Sequence, residues 1–139
     1  MQTPEDFNAR GAQHLPGLLG IVVTAVGADE MRAALAVTPA LLAPNGFLHA
    51  ATVVALADTA CGYGCVLNLP AGASGFTTLE LKSNHLGTAL DGHIECSARP
   101  LHRGATTQVW DATVTHRESG RTLALFRCTQ MILYPRPRT

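Results

Sequence analysis

The chain reads as an α+β domain in which an antiparallel sheet of about six strands wraps one long apolar helix. Three observations predict this. The stretch from His49 to Val66, HAATVVALADTACGYGCV, is apolar on every side and broken by a single carboxylate, Asp58. A helix without a polar face must be buried all round. Ahead of it stand two apolar, β-branched runs that form a hairpin, and behind it strand patterns follow one another to Tyr134 with short turns between.

Length and charge bound the rest. At 139 residues the chain holds one domain, 1–139, with its own core. Ten basic against ten acidic side chains give net charge +0, which speaks against nucleic acid or an anionic membrane surface as partner. Hydrophobic residues supply 47% and charged ones only 14%, a low charge fraction that predicts surface buried in an oligomer; a homodimer, paired into a tetramer, is expected. The central stretch is too interrupted by Asp58 and glycines for a membrane span of about 20 apolar residues. Glu5 and Asp6 near the start replace the basic region of a secretory signal, so a cytoplasmic protein is expected.

The elements follow in order. Pro4 to about His14 predicts a short helix with Thr3 as cap, ended by Pro16-Gly17. Leu19 to Val26 and Met31 to Val37 predict two strands joined at Gly27-Ala28-Asp29-Glu30, and Pro39 to Pro44 a connector. The central helix stops at Leu69-Pro70-Ala71-Gly72. Phe76 to Leu86 alternates Thr77, Leu79 and Leu81 against Thr78, Glu80 and Lys82; His93 to Leu101 puts Ile94, Cys96 and Ala98 on one face. Each is expected to have one dry side. His102-Arg103-Gly104 is the next turn, Ala105 to His116 the third strand of this group, Glu118-Ser119-Gly120 another turn, Arg121 to Tyr134 the last strand and Pro135 to Thr139 a polar tail.

Asp58 is the residue that needs a reason. An unpaired carboxylate in a buried helix costs several kcal/mol, so it must find partners, a raised pKa or a cleft. Cys61 and Cys65, four apart on the same helix, tempt a metal reading. With Cys96 and Cys128, however, they lie in apolar or strand-like runs without ligand spacing, and read as small buried hydrophobes. Gly62-Tyr63-Gly64 follows no strand and is no dinucleotide fingerprint. No metal and no nucleotide cofactor are expected.

The segment Pro44-Asn45-Gly46-Phe47-Leu48-His49, followed by a helix reaching Leu56-Ala57-Asp58-Thr59-Ala60, resembles the hotdog-fold acyl-CoA thioesterases of the PaaI and 4-hydroxybenzoyl-CoA thioesterase group. Their mark is G-x-x-H-G-G with an acidic residue nine positions after the His. The second half agrees: Ser83-Asn84-His85, Arg99-Pro100-Leu101-His102-Arg103-Gly104 and Gln108-Val109-Trp110 are similar to strands of the menaquinone-pathway members. The resemblance covers about residues 18 to 134 and implies a hotdog fold and hydrolysis of an acyl-CoA, aryl or medium-chain, to free acid and CoA. Where relatives write His-Gly-Gly this chain has His49-Ala50-Ala51. Ala43 stands where they carry Asn or Gln, with Asn45 two residues later, and Gly62 where they often carry Ser or Thr.

The resemblance implies Asp58 as general base or nucleophile, a choice the sequence leaves open. The Ala50 N–H, at the positive end of the helix dipole, is the candidate oxyanion donor. His49 orients this turn or donates to the sulfur. Asn45, Gly46, Ala51, Gly62, Asn84 and His85 are candidate substrate contacts, and Arg103 with Gly104, or Lys82, candidates for the CoA phosphates. CoA enters as part of the substrate. Two other readings stand beside hydrolysis: a non-catalytic acyl-CoA binder, and an enoyl thioester hydratase, which needs a second His or Asp over the acyl chain. Helix geometry adds one expectation. The nine steps from His49 to Asp58 span ~13.5 Å and about half a turn, so a single helix cannot bring both to one thioester carbon and two subunits must build each site.

Overall fold

The computed structural model describes residues 1–137. In order they form α1 (Pro4–Gly11), α2 (Leu15–Leu19), β1 (Val22–Val26), β2 (Met31–Ala36), a 3-10 turn at Pro39–Leu41, α3 (Ala50–Leu67), β3 (Gly75–His85), β4 (His93–Arg103), β5 (Thr107–His116) and β6 (Thr122–Leu133). The six strands make one antiparallel sheet in the order β1-β2-β4-β5-β6-β3, with α3 packed on one face. The expected fold class is therefore observed. Of the expected polar tail, Pro135, Arg136 and Pro137 follow β6 without regular structure; Arg138 and Thr139 lie outside the described residues.

The N-terminal segment departs from expectation. Thr3 caps α1 through a reciprocal capping box with Asp6, but the helix ends at Gly11 rather than near His14. Pro16-Gly17 does not stop it. Pro16 instead sits in the first turn of α2, where its missing N–H costs nothing, and Gly20 closes that helix at φ +78. This short helix takes up Leu19, so β1 starts later than the β-branched run suggests.

α3 packs close to the sheet because Gly64 lets it. A Cβ there would lie 2.5 Å from the Trp110 ring, which is fully buried on β5. The Trp110 indole N–H donates to Gln108 Oε1 at 2.8 Å, and Gln108 Nε2 donates to the Asn68 carbonyl at 2.9 Å. Buried polar groups are thus satisfied while they fasten the end of the helix to the sheet. Cys61, Cys65, Cys96 and Cys128 are free and buried; burial pushes the Cys65 and Cys96 thiols up to about 12, so they serve as apolar packing.

Two faces are less covered than the sequence suggests. On α3, Val54, Ala55, Asp58 and Thr59 are only half-buried in the single chain. β3 lacks the dry side expected from its alternation: a bulge between Thr78 and Glu80 breaks the period, and as the sheet's edge strand β3 leaves Leu79 53% and Leu81 41% exposed. β4 runs on through His102 and Arg103 past its own bulge after Pro100, which moves the predicted turn to Gly104–Thr106.

Candidate active site

The loop before α3 is held by its own backbone. Ala43 N–H donates to the Phe47 carbonyl at 2.7 Å, Gly46 N–H to the Ala43 carbonyl at 2.9 Å, and Asn45 Oδ1 accepts from Phe47 N–H at 3.2 Å. Gly46 supplies the left-handed residue of this turn, φ +90. Leu48 N–H donates to Thr88 Oγ1 at 2.9 Å, while Leu41 O accepts both His49 N–H at 3.2 Å and Thr52 Oγ1 at 2.9 Å. Asn45 and Gly46 therefore shape the approach to the helix.

His49 is the N-cap. Its Nδ1 accepts the Ala51 N–H at 2.9 Å, and its carbonyl takes the Thr52 N–H at 2.9 Å and the Val53 N–H at 3.4 Å. An N–H can only donate, so Nδ1 is bare and the neutral ring carries its proton on Nε2, on the far side. Of the first-turn donors this leaves the Ala50 N–H, which has no acceptor among the described residues. Ala50 and Ala51 are both exposed.

At this start of α3 lies a pocket of about 280 Å³ lined by Phe47, Leu48, Ala50, Val53, His85, Gly87 and Thr88. His85, predicted from the second half of the chain, is thus brought to Ala50. Asn84 is not: it lines a separate groove on the outer face of the sheet with Lys82, Asp111 and Arg127. Phe47, Val53 and Thr88 were not singled out from sequence, since nothing in their type or spacing separates them from loop and core residues.

Asp58 lies two turns into α3. One carboxylate oxygen, Oδ1, is enclosed and has no hydrogen-bond partner among the described residues, and burial raises the pKa above the ordinary 3.8. One turn further, Gly62 faces the tip of the Phe76 ring from β3. Ser83 Oγ, also on β3, is likewise buried without a partner. Arg103 and Gly104 are elsewhere. Arg103 reaches Asp29 at 3.0 Å, the Ala28 carbonyl at 3.2 Å and Asn68 Oδ1 at 3.1 Å, at the opposite end of α3 from Ala50. Gly104 lies in the turn after β4, where a Cβ would come 2.6 Å from the His102 ring tip and 3.0 Å from the Thr107 carbonyl.

Residues 45–124 match the model of the thioesterase superfamily. The chain is 32% identical to 1,4-dihydroxy-2-naphthoyl-CoA hydrolase of Escherichia coli over 134 residues, covering 94% of this chain and 95% of that protein. It is 32% identical to the enzyme of the same name from Listeria monocytogenes, covering 80% and 89%. A variant of thioesterase PA1618 from Pseudomonas aeruginosa superposes with a TM-score of 0.90 at 28% identity, covering 96% of this chain and 95% of the other. Thioesterase HI1161 from Haemophilus influenzae gives 0.89 at 28%, covering 96% and 92%. With its six-stranded sheet on one long helix and these matches along almost its whole length, the chain belongs to the hotdog-fold thioesterase superfamily and is a thioester hydrolase.

Proposed function

We propose that this protein hydrolyses an acyl-CoA carrying an aryl or medium-chain acyl group, in a site shared by two subunits. One observation carries the reading: the helix that starts with an unused N–H at Ala50 also holds, at Asp58, a desolvated carboxylate with an unpartnered oxygen. Catalysis needs both within about 3 Å of the reacting atoms. Eight residues separate them, ~12 Å along the axis. A second copy, related by a two-fold axis with α3 antiparallel, brings the Asp58 of one chain to the Ala50 of the other. The partly covered Val54–Asp58 face and the exposed leucines of the β3 edge support such a partner. Pairing of two such dimers would make a tetramer.

In this site the thioester oxygen takes the Ala50 N–H. Asp58 either removes a proton from the attacking water or attacks the carbonyl itself, giving an anhydride that water then opens. As the C–S bond breaks, the electron pair leaves on sulfur, and the His49 Nε2–H donates to it. The chemistry calls on no resident metal or cofactor, and a CoA substrate fits a cytoplasmic protein.

The test is a panel of acyl-CoAs with a thiol reagent that reports released CoA. The expected result is release from aryl and medium-chain thioesters, abolished by Asp58→Asn. No release from any of them, with measurable CoA binding, would instead make the protein an acyl-CoA binder.

A further inference from the structure

We infer that the Phe76 ring, seated on Gly62, is the wall that limits the acyl group, so that the site takes compact acyl groups in preference to long chains. The inference rests on the thioesterase reading above and names a specificity residue within it.

α3 and the inner face of β3 run antiparallel past one another. At one end Ala50 and Val53 share a pocket with His85; at the other, an added Cβ on Gly62 would lie 3.0 Å from the tip of the Phe76 ring and 3.6 and 3.9 Å from the two neighbouring ring carbons. The ring therefore covers α3 one turn beyond Asp58. Gly62 is one turn beyond Asp58 on the same helix stripe, ~6 Å along the axis. An acyl carbon held at Asp58 has little room to extend in that direction.

The residue types support a shaped contact. Glycine in a helix interior costs about 1 kcal/mol relative to alanine, and Gly62 is buried in the middle of α3. Its lack of a side chain is what admits the ring. Phe76 is only half-buried, whereas Phe7, Trp110 and Phe126 are 0%, 0% and 3% exposed. A core aromatic would be enclosed; this one is left partly exposed beside α3.

The experiment compares kcat/KM for benzoyl-CoA and dodecanoyl-CoA in the wild type, Phe76→Ala, Phe76→Leu and Gly62→Ala. It is paired with the affinities of the benzyl and dodecyl thioethers of CoA, which cannot be hydrolysed. Phe76→Ala should raise the dodecanoyl-to-benzoyl ratio about tenfold and Phe76→Leu less. Gly62→Ala, which pushes the ring outward, should lower it. An unchanged ratio in a folded Phe76→Ala, or an equal loss on both substrates, would overturn the inference. If Phe76→Ala does not fold, an unchanged ratio in Phe76→Leu does the same. Should the wild type release no CoA from any thioester, the thioesterase reading fails, and the thioether affinities still decide whether Phe76 limits size.

Discussion

His49 Nδ1 accepts the Ala51 N–H at 2.9 Å, and by doing so leaves the Ala50 N–H as the unused donor at the start of α3. One imidazole thus has two separable duties in the proposed mechanism: Nδ1 caps the helix, and Nε2–H donates to the leaving sulfur. His49→Ala should lose both, costing about 0.5–2 kcal/mol of stability together with activity. His49→Asn, a good cap without the distal N–H, should recover most of the stability by thermal unfolding but not kcat. Full recovery of kcat by Asn would reduce His49 to a cap.

Asp58 makes stability and activity move in opposite directions with pH. Burial raises its pKa in the fold above the ordinary 3.8, so the folded chain binds the proton more tightly than the unfolded one. Its contribution to stability is then most favourable below 3.8 and is lost as pH rises through the raised value. Asp58→Asn should therefore stabilise the fold at neutral pH, by a margin that vanishes in acid, while lowering kcat by roughly 10²-fold or more. The acid limb of the kcat/KM profile should lie above the ordinary carboxylate value. Denaturant titrations across pH would show an Asp58→Asn variant no more stable than wild type at neutrality if the carboxylate has a partner.

The β3 edge predicts the assembly. Leu81 is 41% exposed beside Leu79 on the edge strand of the sheet, so Leu81→Lys should cost a lone chain little and a dimer much. Sedimentation should show a folded monomer with no measurable turnover. An active monomer would rule out a shared site.

Much of this architecture is legible in the sequence because the period of the apolar residues is physical. The all-round apolar run marks α3, and the alternation of Ile94, Cys96 and Ala98 marks the buried face of β4. Periodicity says nothing about which strand lies at an edge, so Leu79 and Leu81 were expected to have a dry side that the bulge and the edge position deny them. Pro16-Gly17 is read as a stop, although the same proline is welcome in the first turn of a new helix. Within the site, Asp58 was legible because a carboxylate stands out in an apolar run. Phe76, Val53 and Thr88 were not, since their place is set by how β3 and its following loop cross α3, which local pattern does not encode.

The shared site is tested most directly by mixing two inactive variants and measuring CoA release. One is Asp58→Asn. The other is Ala50→Pro, which deletes the proposed oxyanion donor at the first helical position, where proline is accepted and where the preceding His49 already has extended backbone, φ −65 and ψ 131. Unfolded together and refolded at equal ratio, about half the dimers pair one of each, and every such dimer holds one intact site of two, so activity should return to roughly a quarter of wild type. If both variants are folded, dimeric and inactive and the mixture stays inactive, Asp58 and the Ala50 N–H do not act across the subunit boundary.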